Sequence, residues 1–188
     1  MKTVRRGAFF LILLLTSVSA FGQSHELAIT GGANFPRNNA YDSDASFAVG
    51  GYYAGRIFYV PLAGLYFEVP VVVAPESVTD LPSRDNYSAL FVTPGLKLKF
   101  APEFPISPWI AVGGGFARYK VTSGIEDGRT SNVGVWDFGG GIDMKIAPFF
   151  SVRGEVRDFY TGDPDLRVSS GSGRQHNIVP QAGLVFRF

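Results

Sequence analysis

The sequence predicts an all-β protein, an eight-stranded antiparallel up-and-down transmembrane β-barrel. Three observations support this. Eight segments alternate between apolar and polar residues, as strands with one apolar face do. The connections between them alternate between long polar stretches and short turns that mostly hold proline. The composition is 46% hydrophobic and 14% aromatic but only 18% charged, with 23 glycines. Such a composition without a long apolar helix is typical of a β-barrel that faces lipid.

The closing strand, His176 to Phe188, gives the clearest alternation. Its apolar parity carries Ile178, Pro180, Ala182, Leu184, Phe186 and Phe188. The other parity holds mostly polar or small residues such as Gln181 and Arg187. A terminal phenylalanine would be an exposed, frayed residue in water. In a closed barrel, lipid covers the apolar face and the first strand pairs with the edge.

The other strands are predicted in order from the same alternation. They cover residues 25–35, 46–60, 64–73, 87–100, 109–121, 133–147 and 150–160. Apolar residues share one parity in most of them: Leu27, Ile29 and Phe35 in the first; Leu65, Phe67 and Val69 in the third; Leu90, Leu96 and Leu98 in the fourth; Trp136, Phe138 and Ile142 in the sixth; and Val152 and Val156 in the seventh. The second is marked by Tyr52, Tyr53 and glycines, and the fifth contains Gly113 to Gly115, which can form a bulge.

The lengths of the connections indicate how the barrel is oriented. The long polar ones are 36–44, 75–86, 122–132 and 161–175, and the short ones are 61–63, 101–108 and 148–149. Outer-membrane barrels have long extracellular loops and short periplasmic turns. We therefore expect four loops at the cell surface and both termini of the mature chain in the periplasm.

The amino-terminal residues have the pattern of a cleaved secretory signal peptide. Lys2, Arg5 and Arg6 precede the apolar run 8–15, and small residues allow cleavage after Ala20, with Gly22 as a second option. The run is too short to span about 30 Å of hydrocarbon. We expect a signal peptide over 1–20 and a barrel over 21–188.

Charge and cysteine content exclude several classes. Removing the signal leaves 14 basic and 16 acidic residues, a net charge of −2. Nucleic-acid binding, which needs a clustered basic face, is not expected. The chain has no cysteine, so disulfides and thiolate metal sites are excluded. The soluble alternative is a secreted β-sandwich.

The chain resembles the outer-membrane protein β-barrel family, which includes the OmpA transmembrane domain, OmpX-like proteins and opacity-type proteins. The resemblance lies in segments 108–119, 137–145 and 184–188. It implies the bacterial outer membrane and contact with its lipid and lipopolysaccharide. Leu184, Phe186 and Phe188 resemble the terminal signature recognised by the outer-membrane assembly machinery. The fold hosts anchors, adhesins, enzymes and channels, so the resemblance does not fix a function.

Several charged residues fall on the parity opposite the apolar one and are predicted to form a network in the lumen. These candidates are Glu68, Lys97, Lys99, Asp143, Lys145, Arg153, Glu155 and Arg157. An eight-stranded barrel has an interior just wide enough for side chains to fill it. Both signs are present, so we favour a core of ion pairs; the alternative is a narrow path for ions or small solutes.

Arg118 and Lys120 fall on the apolar parity at the outer end of the fifth strand. Three interpretations of these two residues are open: solvation at the rim, contact with lipopolysaccharide phosphates, or an inward orientation caused by a glycine bulge. We favour solvation at the rim. Aromatic belts are expected at both interfaces. The outer belt would comprise Phe47, Tyr87, Trp136 and Tyr160, and the inner one Phe58, Phe100, Trp109, Phe149 and Phe188.

Enzymatic chemistry has weak support. A Ser-His-acid group of a lipid A-modifying enzyme can be drawn from Ser172, His176 and either Asp163 or Asp165, but nothing in the sequence brings them together. Acidic loop residues lack EF-hand spacing. We expect no cofactor and no metal. The sequence favours a monomeric, non-enzymatic barrel whose four loops carry a structural or surface-interaction role, with an unknown surface ligand.

Overall fold

The computed structural model describes residues 24–37, 45–77, 86–121, 130–162 and 175–188. The predicted signal peptide and most of each long loop lie outside these residues. In the described part of the chain, no helix is long and apolar enough to cross a membrane.

The described residues form one closed antiparallel barrel. Its strands are β1 (His25–Arg37), β2 (Ser46–Val60), β3 (Ala63–Ser77), β4 (Asn86–Val92), β5 (Gly95–Phe100), β6 (Ile106–Val121), β7 (Thr130–Ala147), β8 (Phe150–Thr161) and β9 (Gln175–Arg187). Strands that follow one another in sequence pair with each other, except β4 and β5, and β1 also pairs with β9, which closes the sheet. Because β4 and β5 both lie between β3 and β6, together they make one wall position and the barrel has eight strands. The predicted fold class is confirmed.

The fourth predicted strand, 87–100, is not continuous. It is interrupted at Thr93 and Pro94, and proline has no N–H to give to the sheet. Thr93 N donates to the carbonyl of Pro70 at 3.3 Å, and Gly114 N donates to the carbonyl of Pro94 at 3.1 Å. The irregularity in this part of the wall therefore lies at Thr93 and Pro94. The glycines that could form a bulge do not disturb the pairing with the next strand, since β6 pairs with β7 in unbroken register through Gly113, Gly114 and Gly115.

Burial in this barrel is the reverse of that in a soluble protein. Buried residues include many charged and polar side chains, whereas large apolar ones are exposed on the outer wall. The exposed set includes Leu27, Ile29, Val71, Leu96, Ile110, Val112, Phe138, Ile142, Val156 and Leu184. A contiguous apolar wall of this kind needs a nonpolar surrounding such as lipid.

The seam between β1 and β9 depends on close backbone approach. A Cβ on Gly183 would lie 2.0 Å from the carbonyl oxygen of Ile29, and one on Gly32 would lie 2.0 Å from that of Pro180. At the end of the seam, the Phe188 carbonyl accepts hydrogen bonds from Ser24 N at 3.1 Å and His25 N at 2.9 Å. The two ends of the described chain are thereby joined at the short-turn end of the barrel.

The turn between β5 and β6 contains a strained residue. Ala101 has a φ of 46°, in the left-handed region that disfavours a side chain. Its carbonyl accepts hydrogen bonds from Phe104 N at 3.0 Å and Ser107 Oγ at 2.9 Å. These bonds hold the tight reversal between two wall strands.

Candidate functional site

The candidate site is the charge network that fills the lumen. Among the described residues, ten charged side chains are buried there: the acids Glu26, Glu68, Asp137, Asp143 and Glu155, and the bases Lys97, Lys99, Arg153, Arg157 and Arg187. Each points inward because side chains alternate along a strand and the opposite parity faces outward. With five acids and five bases, their formal charges cancel.

Glu26 connects one side of the network. It pairs with Lys97 at 2.8 Å and with Lys99, the partners lying on the far side of the lumen on β5. It also lies 3.5 Å from Arg153 and 3.4 Å from Arg187. A single carboxylate thus holds together cations from three other strands.

Asp143 forms a second centre, nearer the short-turn end. It accepts hydrogen bonds from Arg153 Nε at 2.8 Å and from Arg153 Nη2 at 3.0 Å. Lys99 Nζ is 2.6 Å away and Arg187 Nη2 is 3.3 Å away. Two-point arginine–carboxylate contacts are stronger and more directional than single ones.

Glu68 and Arg157 form the third centre, nearer the loops. Arg157 pairs with Glu68 and lies 2.6 Å from Asp137, which also accepts a hydrogen bond from Thr93 Oγ1 at 3.1 Å. Lys97 joins this centre to the first, because its Nζ is 2.6 Å from Glu68. The network is therefore continuous across the lumen.

Aromatic rings pack among the cations. Trp109 lies under Arg153, with a centroid distance of 4.9 Å, and Arg157 is 4.8 Å from the Tyr52 ring. Trp109 Nε1 also donates to Asp143 at 3.3 Å. The expectation that Trp109 belongs to the inner aromatic belt is wrong: it is 2% exposed and in the lumen, because its parity is opposite to that of Ile110.

A layer of uncharged side chains closes the lumen on the loop side. Phe91 stacks on Phe159 at 4.6 Å and meets Tyr119 edge-on at 6.2 Å. All three are fully buried, and the Tyr119 hydroxyl donates to Thr161 Oγ1 at 3.4 Å. The interior thus consists of an ion-pair layer below an aromatic layer.

The sequence located most of this network. Of the residues named from the sequence, seven are buried: Glu68, Lys97, Lys99, Asp143, Arg153, Glu155 and Arg157. Lys145 is a correction: it is half-buried and forms no ion pair with another described residue. Lys145 lies two residues beyond Asp143, close to the end of β7, where the register between β7 and β8 shifts.

Three members were missing from the predicted set: Glu26, Asp137 and Arg187. All three have the inward parity, so alternation alone could have found them. Arg187 is next to the terminal residue, where fraying is the usual expectation. Its neighbour Phe188 is held by β1, and this keeps Arg187 inside.

The outer rim carries charges that face outward. Arg118 and Lys120 are exposed on the same side of β6 as Phe116, so no bulge turns them inward. His176 Nδ1 lies 2.7 Å from Asp158 Oδ2, a pair that is largely solvent-accessible. The other candidates for a Ser-His-acid group with His176 lie outside the described residues; these are Ser172, Asp163 and Asp165. In the described ranges, no three His, Asp or Glu side chains converge as metal ligands.

Comparisons with known proteins give the fold but no close relative. No family model matches the chain, and no curated protein matches it. Among solved structures, Neisserial surface protein A (NspA) matches with a TM-score of 0.67 at 12% identity, over 87% of this chain and 97% of that one. Ail, the attachment invasion locus protein of Yersinia pestis, matches at 0.56 and 11% identity, covering 87% and 99%. The outer membrane enzyme PagL matches at 0.51 and 12%, with the same coverage as Ail.

These findings define the class of protein by its fold. The chain has the fold of the small eight-stranded outer-membrane barrels, as the resemblance predicted. Identities this low establish the fold alone.

Proposed function

We propose that this protein is an integral, non-enzymatic barrel of the bacterial outer membrane that presents four loops at the cell surface. The observation that supports the role of the barrel as a scaffold is its filled interior. The ten charged side chains buried among the described residues have no net formal charge, and an aromatic layer lies on their loop side. A lumen filled in this way stabilises a wall and leaves recognition to the loops.

The outward-facing residues support the membrane location. Apolar side chains cover the wall, and Phe58, Phe100 and Phe149 are exposed at the short-turn end while Phe47 and Trp136 are exposed near the loops. Aromatic belts at both interfaces are a property of membrane barrels. The name of the similar protein Ail, an attachment protein, agrees with a surface-interaction role.

The first experiment tests the location and the barrel together. The protein is expressed from its own sequence, membranes are fractionated, and boiled and unboiled samples are compared by SDS gel electrophoresis. We expect outer-membrane fractionation and a heat-dependent change in mobility. A soluble periplasmic protein with identical mobility in both samples would contradict the proposal.

The second experiment addresses the loops. Segment 122–132 is replaced by a short Gly-Ser linker, and barrels in lipid nanodiscs are applied to an array of glycans and extracellular-matrix proteins. We expect any binding of the wild type to be lost on replacement of this loop or of 161–175, while the heat shift is kept. Segments 36–44 and 75–86 are replaced in the same way, and binding that survives the replacement of each of the four segments would place recognition on the wall.

A narrow channel is the main competing function. Purified barrels in planar bilayers should show no reproducible conductance steps if the ion pairs close the lumen. Steps that change in size in Arg153→Ala or Arg157→Ala variants would make the protein a channel, and the network its filter.

A lipid-modifying enzyme is the other competitor, favoured by one contact. His176 and Asp158 form a hydrogen-bonded pair on the outer wall, the geometry by which a carboxylate orients a histidine base. We expect identical lipid A mass spectra from cells with and without the overexpressed protein. A mass change abolished by His176→Ala would replace the scaffold proposal with an enzyme.

A further inference from the structure

The outer wall carries a groove near the loop end of β6, β7 and β8. Among the described residues it is lined mainly by Gly114, Gly134, Gly162, Trp136 and Tyr160, and its volume is about 720 Å³. We call it the glycine groove. Trp136 is 59% exposed and pairs in register with Tyr160 and with Gly114 on its two sides. Gly115, Val135 and Thr161 complete the lining, and Trp136 and Tyr160 contribute its largest side chains.

The fold does not require glycine at two of these positions. A Cβ on Gly134 or on Gly162 would meet no atom within 4 Å, and neither has a left-handed φ. Glycine in a strand weakens it and often marks the close approach of a ligand. Gly51 and Gly154 are equally open, so openness alone does not define a site. The glycine groove differs because aromatic side chains border it and two cations follow further along the outward face of β6.

These cations are Arg118 and Lys120, exposed on the outward face of β6. Phe116 is the register partner of Gly134, and Arg118 follows Phe116 on the same face about 7 Å further along the strand. The opposite edge carries a carboxylate, Asp158, paired with His176. An anion would therefore bind at the β6 edge, with the apolar part of the same molecule lying against Trp136 and Tyr160.

We propose that the glycine groove binds a phosphorylated glycolipid of the outer leaflet, with its phosphate at Arg118 and Lys120 and its chain or sugar along Gly134, Trp136 and Tyr160. The occupant follows from two features. The site is at the loop end, which faces the cell surface in a barrel of this orientation. Its two cations complement a phosphate where the aromatic residues mark the membrane boundary. The inference rests on the proposed outer-membrane location.

Tryptophan fluorescence provides the test. The full mature chain is inserted into vesicles of brominated phosphatidylcholine, whose bromines quench tryptophans that touch lipid. Trp109 is shielded in the lumen and Trp136 is exposed, so quenching reports on the groove, and Trp136→Phe verifies the assignment. Bis-phosphorylated lipid A is then added, and we expect it to displace the quenching lipid and restore fluorescence.

Variants separate the groove from general lipid contact. Arg118→Gln with Lys120→Gln should raise the lipid A concentration for half-recovery at least about tenfold, since each cation near a lipid surface contributes to anion attraction. Gly134→Leu should abolish recovery by filling the groove. Lys145→Gln, at the opposite membrane edge, and Gly154→Leu, on open wall, are matched controls expected to behave as wild type. Every variant is first checked for the heat-dependent gel shift, and Gly134→Ala replaces any Leu variant that does not fold.

Three results would overturn the inference: no recovery with lipid A in a heat-shifting wild-type barrel, equal recovery with phosphatidylglycerol or dephosphorylated lipid A, or equal effects of the test and control variants. A wild-type chain without a heat shift would instead overturn the proposed barrel function, and this inference with it.

Discussion

Arg153 and Asp143 face each other in register on β8 and β7, joined by two hydrogen bonds of 2.8 and 3.0 Å. Both side chains are fully buried, so neither charge can be solvated by water. Their pairing illustrates how the lumen is stabilised: each charge is balanced by partners that the barrel fixes around it.

Replacing Arg153 with methionine should lower the free energy of unfolding by about 3–5 kcal/mol, because Asp143 loses its two-point partner and the buried network is left with five acids and four bases. Urea unfolding in lipid vesicles measures this. Arg118→Met, the same chemical change on the exposed wall, should cost less than about 1 kcal/mol. The double variant Arg153→Met with Asp143→Asn should recover part of the loss, and strict additivity would show that the two residues are not coupled.

Gly183→Ala should destabilise the barrel by about 1–3 kcal/mol, because the added methyl group would overlap the Ile29 carbonyl at the seam. Refolding into vesicles, followed by the heat-dependent gel shift, should also slow down. Gly154→Ala, on the neighbouring strand with open space around it, is the control. Equal effects of the two would mean that seam geometry is not the cause.

Ala101→Gly should stabilise the protein by about 1 kcal/mol, because glycine adopts the left-handed conformation of this turn without the penalty that alanine has there. The midpoint of urea unfolding is the measurement. Ala63→Gly, in a neighbouring turn-end position without a left-handed φ, should not stabilise. A destabilised Ala101→Gly variant would indicate that the gain in unfolded-state entropy is the larger effect.

The exposed pair His176 and Asp158 should behave differently from the lumen pairs. A double-mutant cycle with His176→Gln and Asp158→Asn should give a coupling below about 1 kcal/mol, falling further as salt is raised. The coupling between Arg153 and Asp143 should be nearly unaffected by salt, because the lumen is shielded. Equal salt sensitivity of both pairs would mean that ions enter the lumen.

Deleting Phe188 should reduce assembly in cells more than stability in vitro. The residue contributes hydrogen bonds to Ser24 and His25 and a ring stacked on Phe186 at 5.5 Å. If Leu184, Phe186 and Phe188 act as the assembly signal, the deleted protein should be depleted from the outer membrane yet still fold into vesicles. Unchanged abundance in the outer membrane would count against the signal.

Local patterns predicted the wall of this barrel well for a simple reason. A strand has a period of two, so alternation in residues such as Leu96, Lys97 and Leu98 fixes which side chains face lipid and which face the lumen. The same rule placed seven of the eight predicted charges inside. It did not anticipate the break at Thr93 and Pro94, because a proline can lie within a strand run or end it.

Alternation within a strand does not predict which side chains from different strands contact each other. The sequence placed Trp109 in a belt because tryptophans favour interfaces, yet the structure stacks it under Arg153. Lys145 has the inward parity but lies where the register shifts and the wall ends. Depth along the barrel depends on the stagger between strands, which no single strand encodes.

Alternation along the chain specifies the class of architecture, the side of the wall that each residue faces, and the sign of the charges inside. Which charges pair depends on the closed barrel, because Glu26 and Lys97 are 71 residues apart and meet only across its lumen. The tertiary structure likewise decides where the glycine groove lies, since its lining comes from three strands. Alternation is a local property of the chain, whereas pairing and grooves depend on the register set by closure.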